Sequence, residues 1–255
     1  MTNAKQSKKE ILSAVSNVNT DFYTLSGGSP MVVFSHGFGV KRDSRGMFTD
    51  IVDSLPPEWG YILFDYNEID GTNVRLAPYS LQTKKLKRML ELAAQHSDNI
   101  YLIAHSMGCI TAALLKSITV NKALFLAPPV HGPRPNAKNS WAERPGAYYE
   151  GTTLVVPRRD GTTSIVAQEF FDESKLVDCP KVINDYSRMV DMTVIQALDE
   201  DIIQHPEQYD SLDRAKLHLI KLPGNHNFDP PHRAELVATI GSIVHQNSTK
   251  PKVMV

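Results

Sequence analysis

Cysteine is scarce in this sequence: Cys109 and Cys179 are the only two among 255 residues. Two thiols exclude a disulfide framework and the four-cysteine zinc sites of small metal-binding modules. An excess of one charge is missing too. Lys and Arg number 27 against 28 Asp and Glu, a formal net charge of -1, so no global field draws the chain to nucleic acid or to an anionic membrane. No run approaches the roughly 18 consecutive apolar residues of a transmembrane helix. The opening MTNAKQSKKE is not followed by an apolar stretch of signal-peptide length. Repeats and low-complexity tracts are absent. So are glycine-rich phosphate loops of the G-x-x-x-x-G-K and G-x-G-x-x-G kinds, and the H-x-H or H-E-x-x-H spacings of metal sites. These absences predict a cytoplasmic protein with no nucleic-acid partner, no stable membrane insertion, no metal and no cofactor.

What is present is ordinary globular chemistry, 42% apolar and 22% charged, in a length that suits one α/β domain or two smaller ones. Short apolar runs alternate with helix-period segments, which predicts a parallel sheet with crossover helices. The runs are MVVFSH (31 to 36), GYILFDY (60 to 66), NIYLIAH (99 to 105), KALFLA (122 to 127), MTVIQAL (192 to 198) and KLHLIKL (216 to 222). Their near-continuous apolarity marks strands covered on both faces. A helix is predicted from Ser80, read as its N-cap, with Leu86, Met89, Leu90 and Ala93 on one face. A last helix near 231 to 245 carries Leu236, Ile240 and Ile243 on one side. Stretches 10 to 18 and 21 to 26 read as an antiparallel pair leading into the first parallel strand, with Gly27-Gly28 as a turn.

Between 128 and 190 the alternation breaks. Prolines and glycines crowd 128 to 146, TTLVVPRRDGTTSIVAQ (152 to 168) reads as a hairpin turning at Asp160-Gly161, and a helix follows near 180 to 190. An insertion of this size in a regular α/β pattern predicts a cap or lid. The expected organisation is a core of residues 1–127 and 191–255 with a cap at 128–190, of which 150–190 is expected to be mobile over the Ser106 pocket. Arg158 and Arg159 then fall at the lid tip, as solvated positions placed to meet an anionic substrate.

The most informative stretch is NIYLIAHSMGCITAALL, a strand, then His105-Ser106-Met107-Gly108, then a helix-forming run. A serine at a sharp strand-to-helix turn needs strained backbone angles and small residues two before and two after it. Ala104 and Gly108 hold those places. Such a turn exposes the Ser106 hydroxyl above the sheet edge and presents the Met107 N–H at a helix N-terminus, where an anion is favoured.

With these residues in place, the chain resembles the α/β-hydrolases from about residue 30 to 245. The likeness rests on the His36-Gly37-Phe38-Gly39 turn after the first parallel strand, the serine elbow two strands later, an insertion, an acid after a late strand, and a C-terminal histidine in the order that fold uses. It implies an α/β-hydrolase fold, a mostly parallel sheet with helices on both faces and an inserted cap. It also implies an oxyanion hole from the N–H groups of Phe38 and Met107, with His36 in a structural place beside it. The nine histidines then sort themselves. His226, in Gly224-Asn225-His226-Asn227-Phe228, is close to the family's G-x-H-x-F and takes the base; His105 adjoins the serine but points away from it; His131 and His232 line the pocket. The family's spacing from Ala197 to Ile202-Ile203 ranks the acids Glu200, Asp199, Asp201, and the two that lose are read as solvated charge.

Three readings follow. The first is a serine hydrolase cleaving a carboxylic ester or related acyl bond of a small-molecule acyl substrate through Ser106, His226 and an acid. The second keeps the scaffold for thioesterase, perhydrolase or lyase chemistry. The third is a non-catalytic binding protein, against which the presence of all three triad residue types argues.

Overall fold

Five of the six predicted apolar runs form strands that are buried on both faces, whereas the sixth, at 218–222, is partly exposed because it lies at the edge of the sheet. The computed structural model describes residues 23–115, 120–131, 141–158, 160–203 and 206–248. Seven strands make the large sheet: β1 (Tyr23–Ser26), β2 (Met31–Ser35), β3 (Gly60–Phe64), β6 (Ile100–His105), β7 (Lys122–Leu126), β11 (Asp191–Ala197) and β12 (His218–Leu222). Their order is β1-β3-β2-β6-β7-β11-β12. All neighbours are parallel except β1, which runs antiparallel to β3 with Tyr23 opposite Phe64. Within the predicted stretch 21 to 26, residues 23–26 form a strand, which pairs with β3; the stretch 10 to 18 lies outside the described residues.

Within each strand the two-residue period divides the core. Val32, Phe34, Ile103, Leu124 and Ile195 face helices α1 (Met47–Ser54) and α6 (Arg233–Ser248), where Phe48, Ile51, Leu236 and Ile240 are fully buried. Met31, Val33, Leu102, Phe125 and Val194 face the other way, toward α2 (Tyr79–Ala94), α3 (Met107–Ala113) and α5 (Cys179–Ser187). The face predicted for α2 is buried as expected. Its start differs: Pro78 occupies the cap position without a side-chain bond, and the Ser80 N–H is taken by the Glu173 carboxylate at 2.8 Å. A long-range acid does the work expected of a local hydroxyl. No helix among the described residues is long and apolar enough to cross a membrane.

A second sheet has the order β4-β5-β10-β9-β8. The predicted hairpin is β9 (Thr153–Pro157) with β10 (Thr163–Val166), and β8 (Tyr148–Glu150) extends it on one side. On the other side β10 runs parallel to β5 (Asn73–Arg75), itself paired with β4 (Glu68–Asp70). Residues 68–75 thus join the sheet that the insertion builds. Their three-residue strands are too short and polar for a period to show in sequence. Two helices follow the hairpin. One is α4 (Gln168–Lys175), which the sequence pattern did not announce; the other is α5, whose Asp178 accepts the Lys181 N–H at 3.1 Å as an N-cap.

The large sheet changes direction at its middle. From β2 the chain first adds β3 on one side and later β6 on the other. The loops leaving β2 and β6 diverge at such a point, and the crevice between them is where open α/β sheets bind ligands.

Candidate active site

Ser106 stands at the end of β6 with φ 53° and ψ -126°. For a residue with a Cβ this is strained backbone, held by the bond from the Ser106 N–H to the Leu126 carbonyl at 2.9 Å and by the packing of α3. Gly108 permits that packing. A Cβ there would lie 2.6 Å from the His36 carbonyl oxygen and closer still to that of Ser35. Ala104, two residues before the serine, is fully buried in the sheet core, where a methyl group fits.

The loop after β2 lies against the elbow: a Cβ on Gly37 would sit 3.0 Å from Ser106 Cβ. His36 is fully buried; its Nδ1 donates to the Gly37 carbonyl and its Nε2 accepts the Tyr66 N–H, each at 2.9 Å. Burial depresses its pKa and favours the neutral ring that these two bonds require. His36 therefore shapes the loop, as anticipated. The N–H groups of Phe38 and Met107 donate to no other described residue.

Ser106, His226 and Glu200 form one hydrogen-bonded line. His226 Nε2 is 2.8 Å from Ser106 Oγ, and His226 Nδ1 is 2.8 Å from Glu200 Oε2. The imidazole and the carboxylate are both almost fully buried. Burial raises the Glu200 pKa, but the hydrogen bond and charge of His226 and the N–H groups of Ile203 and Ile202 outweigh it, leaving the group below its ordinary value. Those two N–H groups reach Glu200 Oε1 at 2.8 and 2.9 Å. Of the three consecutive acids, Glu200 alone meets the ring.

Its neighbours are nevertheless not simply solvated. Asp199 Oδ2 accepts the Gly224 N–H at 2.9 Å, and Asp201 Oδ1 accepts the His226 N–H at 3.1 Å. Three successive carboxylates hold three atoms of one loop. Sequence reasoning did not find this, because it depends on β12 lying beside β11. It also did not find Arg233, whose Nε and Nη2 donate to the carbonyls of Phe228 (2.8 Å) and Asn227 (3.0 Å) while Nη1 meets Asp50 at 2.9 Å. Phe228, fully buried at φ 47°, is held in that left-handed conformation by the same cation.

His105 points away from the serine, as expected of an elbow neighbour. Its Nε2 donates to the His226 carbonyl at 3.0 Å and its Nδ1 accepts from Ser44 Oγ at 3.2 Å. Burial first, and the adjacent His226 second, push its pKa down to about 3. It is a neutral strut under the His226 loop.

On the other flank of the serine, Phe38 packs on Trp141 and Phe170, with ring centroids 4.5 and 5.6 Å apart, and Phe170 stacks on Tyr79. The small sheet and α4 therefore lie beside the loop that borders Ser106. Arg158 is not a solvated lid-tip charge: it is half-buried and its Nη1 donates to the carbonyls of Phe38 and Gly39. Arg159 lies outside the described residues. Among the described residues no group of three or more His, Cys, Asp or Glu side chains is arranged to hold a metal ion.

Solved structures share this arrangement of elements. Est1E from Butyrivibrio proteoclasticus, solved with ferulic acid bound, matches with a TM-score of 0.69 over 89% of this chain and 95% of its own, at 12% identity. Mouse α/β hydrolase domain-containing protein 10 gives 0.61 over 88% and 94%, at 15% identity. A monoacylglycerol lipase from Paleococcus ferrophilus gives 0.60 over 88% and 98%, at 14% identity. No family model matches the sequence, and no curated protein does.

Proposed function

On the α/β-hydrolase fold that this chain adopts, we propose a serine hydrolase that cleaves a carboxylic ester of a small molecule. The observation that carries this reading is the unbroken line Glu200–His226–Ser106 at 2.8 Å per link. Esterases and lipases among the structural neighbours support it at the level of ester hydrolysis.

In this reading the Glu200 carboxylate accepts a hydrogen bond from the Nδ1–H of neutral His226, which leaves Nε2 free to take the proton of Ser106. Oγ attacks the acyl carbon and the carbonyl oxygen becomes an oxyanion, accepting hydrogen bonds from the Phe38 and Met107 N–H groups. Each such donor is worth about 2.7–4 kcal/mol where it has been measured. Protonated His226 then gives its proton to the leaving alcohol, and water, deprotonated by the same nitrogen, releases the acid. Residues 128–190 with strands β4 and β5 act as a cap, and Phe38, Trp141 and Phe170 offer an apolar wall to the substrate.

A fluorophosphonate probe tests the reading directly. It should attach to Ser106, as located by peptide mass spectrometry, and nitrophenyl esters should be hydrolysed. Protein that neither takes the probe nor turns over an ester would refute it and favour a binding role.

A further inference from the structure

The loop after β2 is pinned from two sides. The large-sheet body holds its middle: Asp65 accepts from the Arg42 N–H at 2.7 Å and from Arg42 Nε at 2.6 Å, and Asn67 Nδ2 donates to the Val40 carbonyl at 3.3 Å. The small sheet holds its two ends. Arg158 donates to the carbonyls of Phe38 and Gly39, and Asp160 pairs with Arg45 at 3.0 Å. No other described residue donates to either of those two carbonyls.

The loop has reason to need such anchors. Gly39, Ser44, Arg45 and Gly46 all have positive φ, and two of them carry side chains that disfavour it. A Cβ on Gly39 would collide with Arg158 Nη1, so glycine here makes room for the guanidinium. The hairpin tip that carries Arg158 is itself fixed: its N–H donates to Thr162 O at 2.8 Å, and Asp160 Oδ1 accepts from the Thr162 N–H and hydroxyl at 3.1 and 2.6 Å.

We propose that Arg158 is a positioning residue for the oxyanion hole: it reaches from the small sheet to lock the two peptides after Phe38, while His36 holds the Gly37 carbonyl of the peptide before it, so that the Phe38 N–H faces the reacting oxygen. The inference rests on the hydrolase reading and on Phe38 as one of the two donors. Fixing the Phe38 and Gly39 carbonyls sets the backbone on the C-terminal side of that N–H, and no other side chain does so at this end. Seating of the small sheet and completion of the hole are then one event, so the enzyme is fully competent only when the cap is docked.

The test uses full-length Arg158→Met and Arg158→Lys beside the wild type. A donor moved by about 1 Å can lose on the order of 10²-fold in rate, so Arg158→Met should lower kcat for a nitrophenyl ester at least about tenfold with KM within about twofold. The rate of fluorophosphonate labelling and the affinity for a boronic acid, which forms a tetrahedral adduct on Ser106, should fall by the same factor. Arg158→Lys, which keeps a charged donor, should recover most of both. Unchanged kcat in Arg158→Met, or a loss confined to KM, would overturn the positioning role, and the latter would make Arg158 a substrate contact. A loss of kcat that comes with a melting temperature lowered to the assay temperature would reduce it to a structural residue and overturn the role as well. Wild-type protein that takes no probe and cleaves no ester would bring down the hydrolase reading and this inference together.

Discussion

The edge of the large sheet and the small sheet beside it are held by different kinds of contact. At the edge, each loop inherits its position from the strand it leaves. Ser106 N–H binds Leu126 O one residue past the end of β6, and Asp199 N–H binds Gly224 O two residues past the ends of β11 and β12. The small sheet has no such inheritance. It exists because β5 finds β10, Asn73 opposite Thr163, two segments far apart in sequence whose strands are three and four residues long. Two consequences follow. The edge should be the more rigid region, and the small sheet should open at lower cost, since short ladders joined over long loops are where local unfolding begins.

The largest expected effect lies on the edge. Ser106→Ala should reduce nitrophenyl ester hydrolysis to background, a loss on the order of 10⁶ where a serine of this kind has been removed, with a melting temperature near that of the wild type. A collapse of the fold instead would mean the serine is structural and the edge is not the rigid region.

Glu200→Gln should come next, lowering kcat by up to about 10⁴ as the histidine tautomer reverses. Asp199→Asn and Asp201→Asn should stay within a few-fold of wild type, because an amide oxygen can still accept the N–H of Gly224 or His226. Asp201→Ala, which leaves the His226 N–H without that acceptor, should cost more than Asp201→Asn. Equal kinetics for all three amide variants would sink the assignment of Glu200.

The contrast between the two sheets can be sharpened at Val74, buried in β5 opposite Ser164. Val74→Ala removes two methyl equivalents and should cost about 2 kcal/mol. Hydrogen exchange should quicken in β5, β9 and β10 while β2, β6 and β7 keep their protection. Uniform loss of protection would show that the sheets unfold as one and that the comparison is false.

The last effect is in acid. His105 titrates near 6.5 when unfolded and at about 3 when folded, so the unfolded chain binds the extra proton between those values. Stability therefore falls as pH drops from 6.5 toward 3. Glu200 acts in the same direction at lower pH: its folded pKa lies below the ordinary 4.5, so its contribution is lost as pH falls through that range. His105→Gln, which keeps a donor for the His226 carbonyl, should flatten the dependence of melting temperature on pH between 6.5 and about 4.5. An unchanged slope would mean that other groups set the acid lability.

Much of the large sheet was legible because its signals are local. Six apolar runs became six strands, five of them because a strand covered on both faces writes its burial into consecutive residues, the sixth at the sheet edge and partly exposed. The elbow was legible for the same reason: Ala104, Ser106 and Gly108 lie within one turn of chain. The spacing from Ala197 to Ile202-Ile203 ranked Glu200 ahead of Asp199 and Asp201, and the Glu200 carboxylate caps those isoleucine N–H groups by short-range bonds. What failed were readings of single polar residues as solvated or locally bonded. Asp199, Asp201 and Arg158 were read as solvated charges, and Ser80 as an N-cap. Each is instead engaged with a residue at least 25 positions away.

The sequence by itself therefore determined six strands of the large sheet, the strained serine turn and the order serine, acid, histidine along the chain, whereas the hydrogen-bonded line runs Glu200, His226, Ser106. Periodicity, turn chemistry and spacing are properties of neighbouring residues, and they survive in a one-dimensional reading. Only the tertiary structure decided that three adjacent carboxylates would grip three atoms of one loop, that residues 68–75 would complete a second sheet, and that Arg158 would reach the Phe38 carbonyl. Those outcomes depend on which strands lie side by side, and a hydrogen bond is indifferent to how many residues separate its partners.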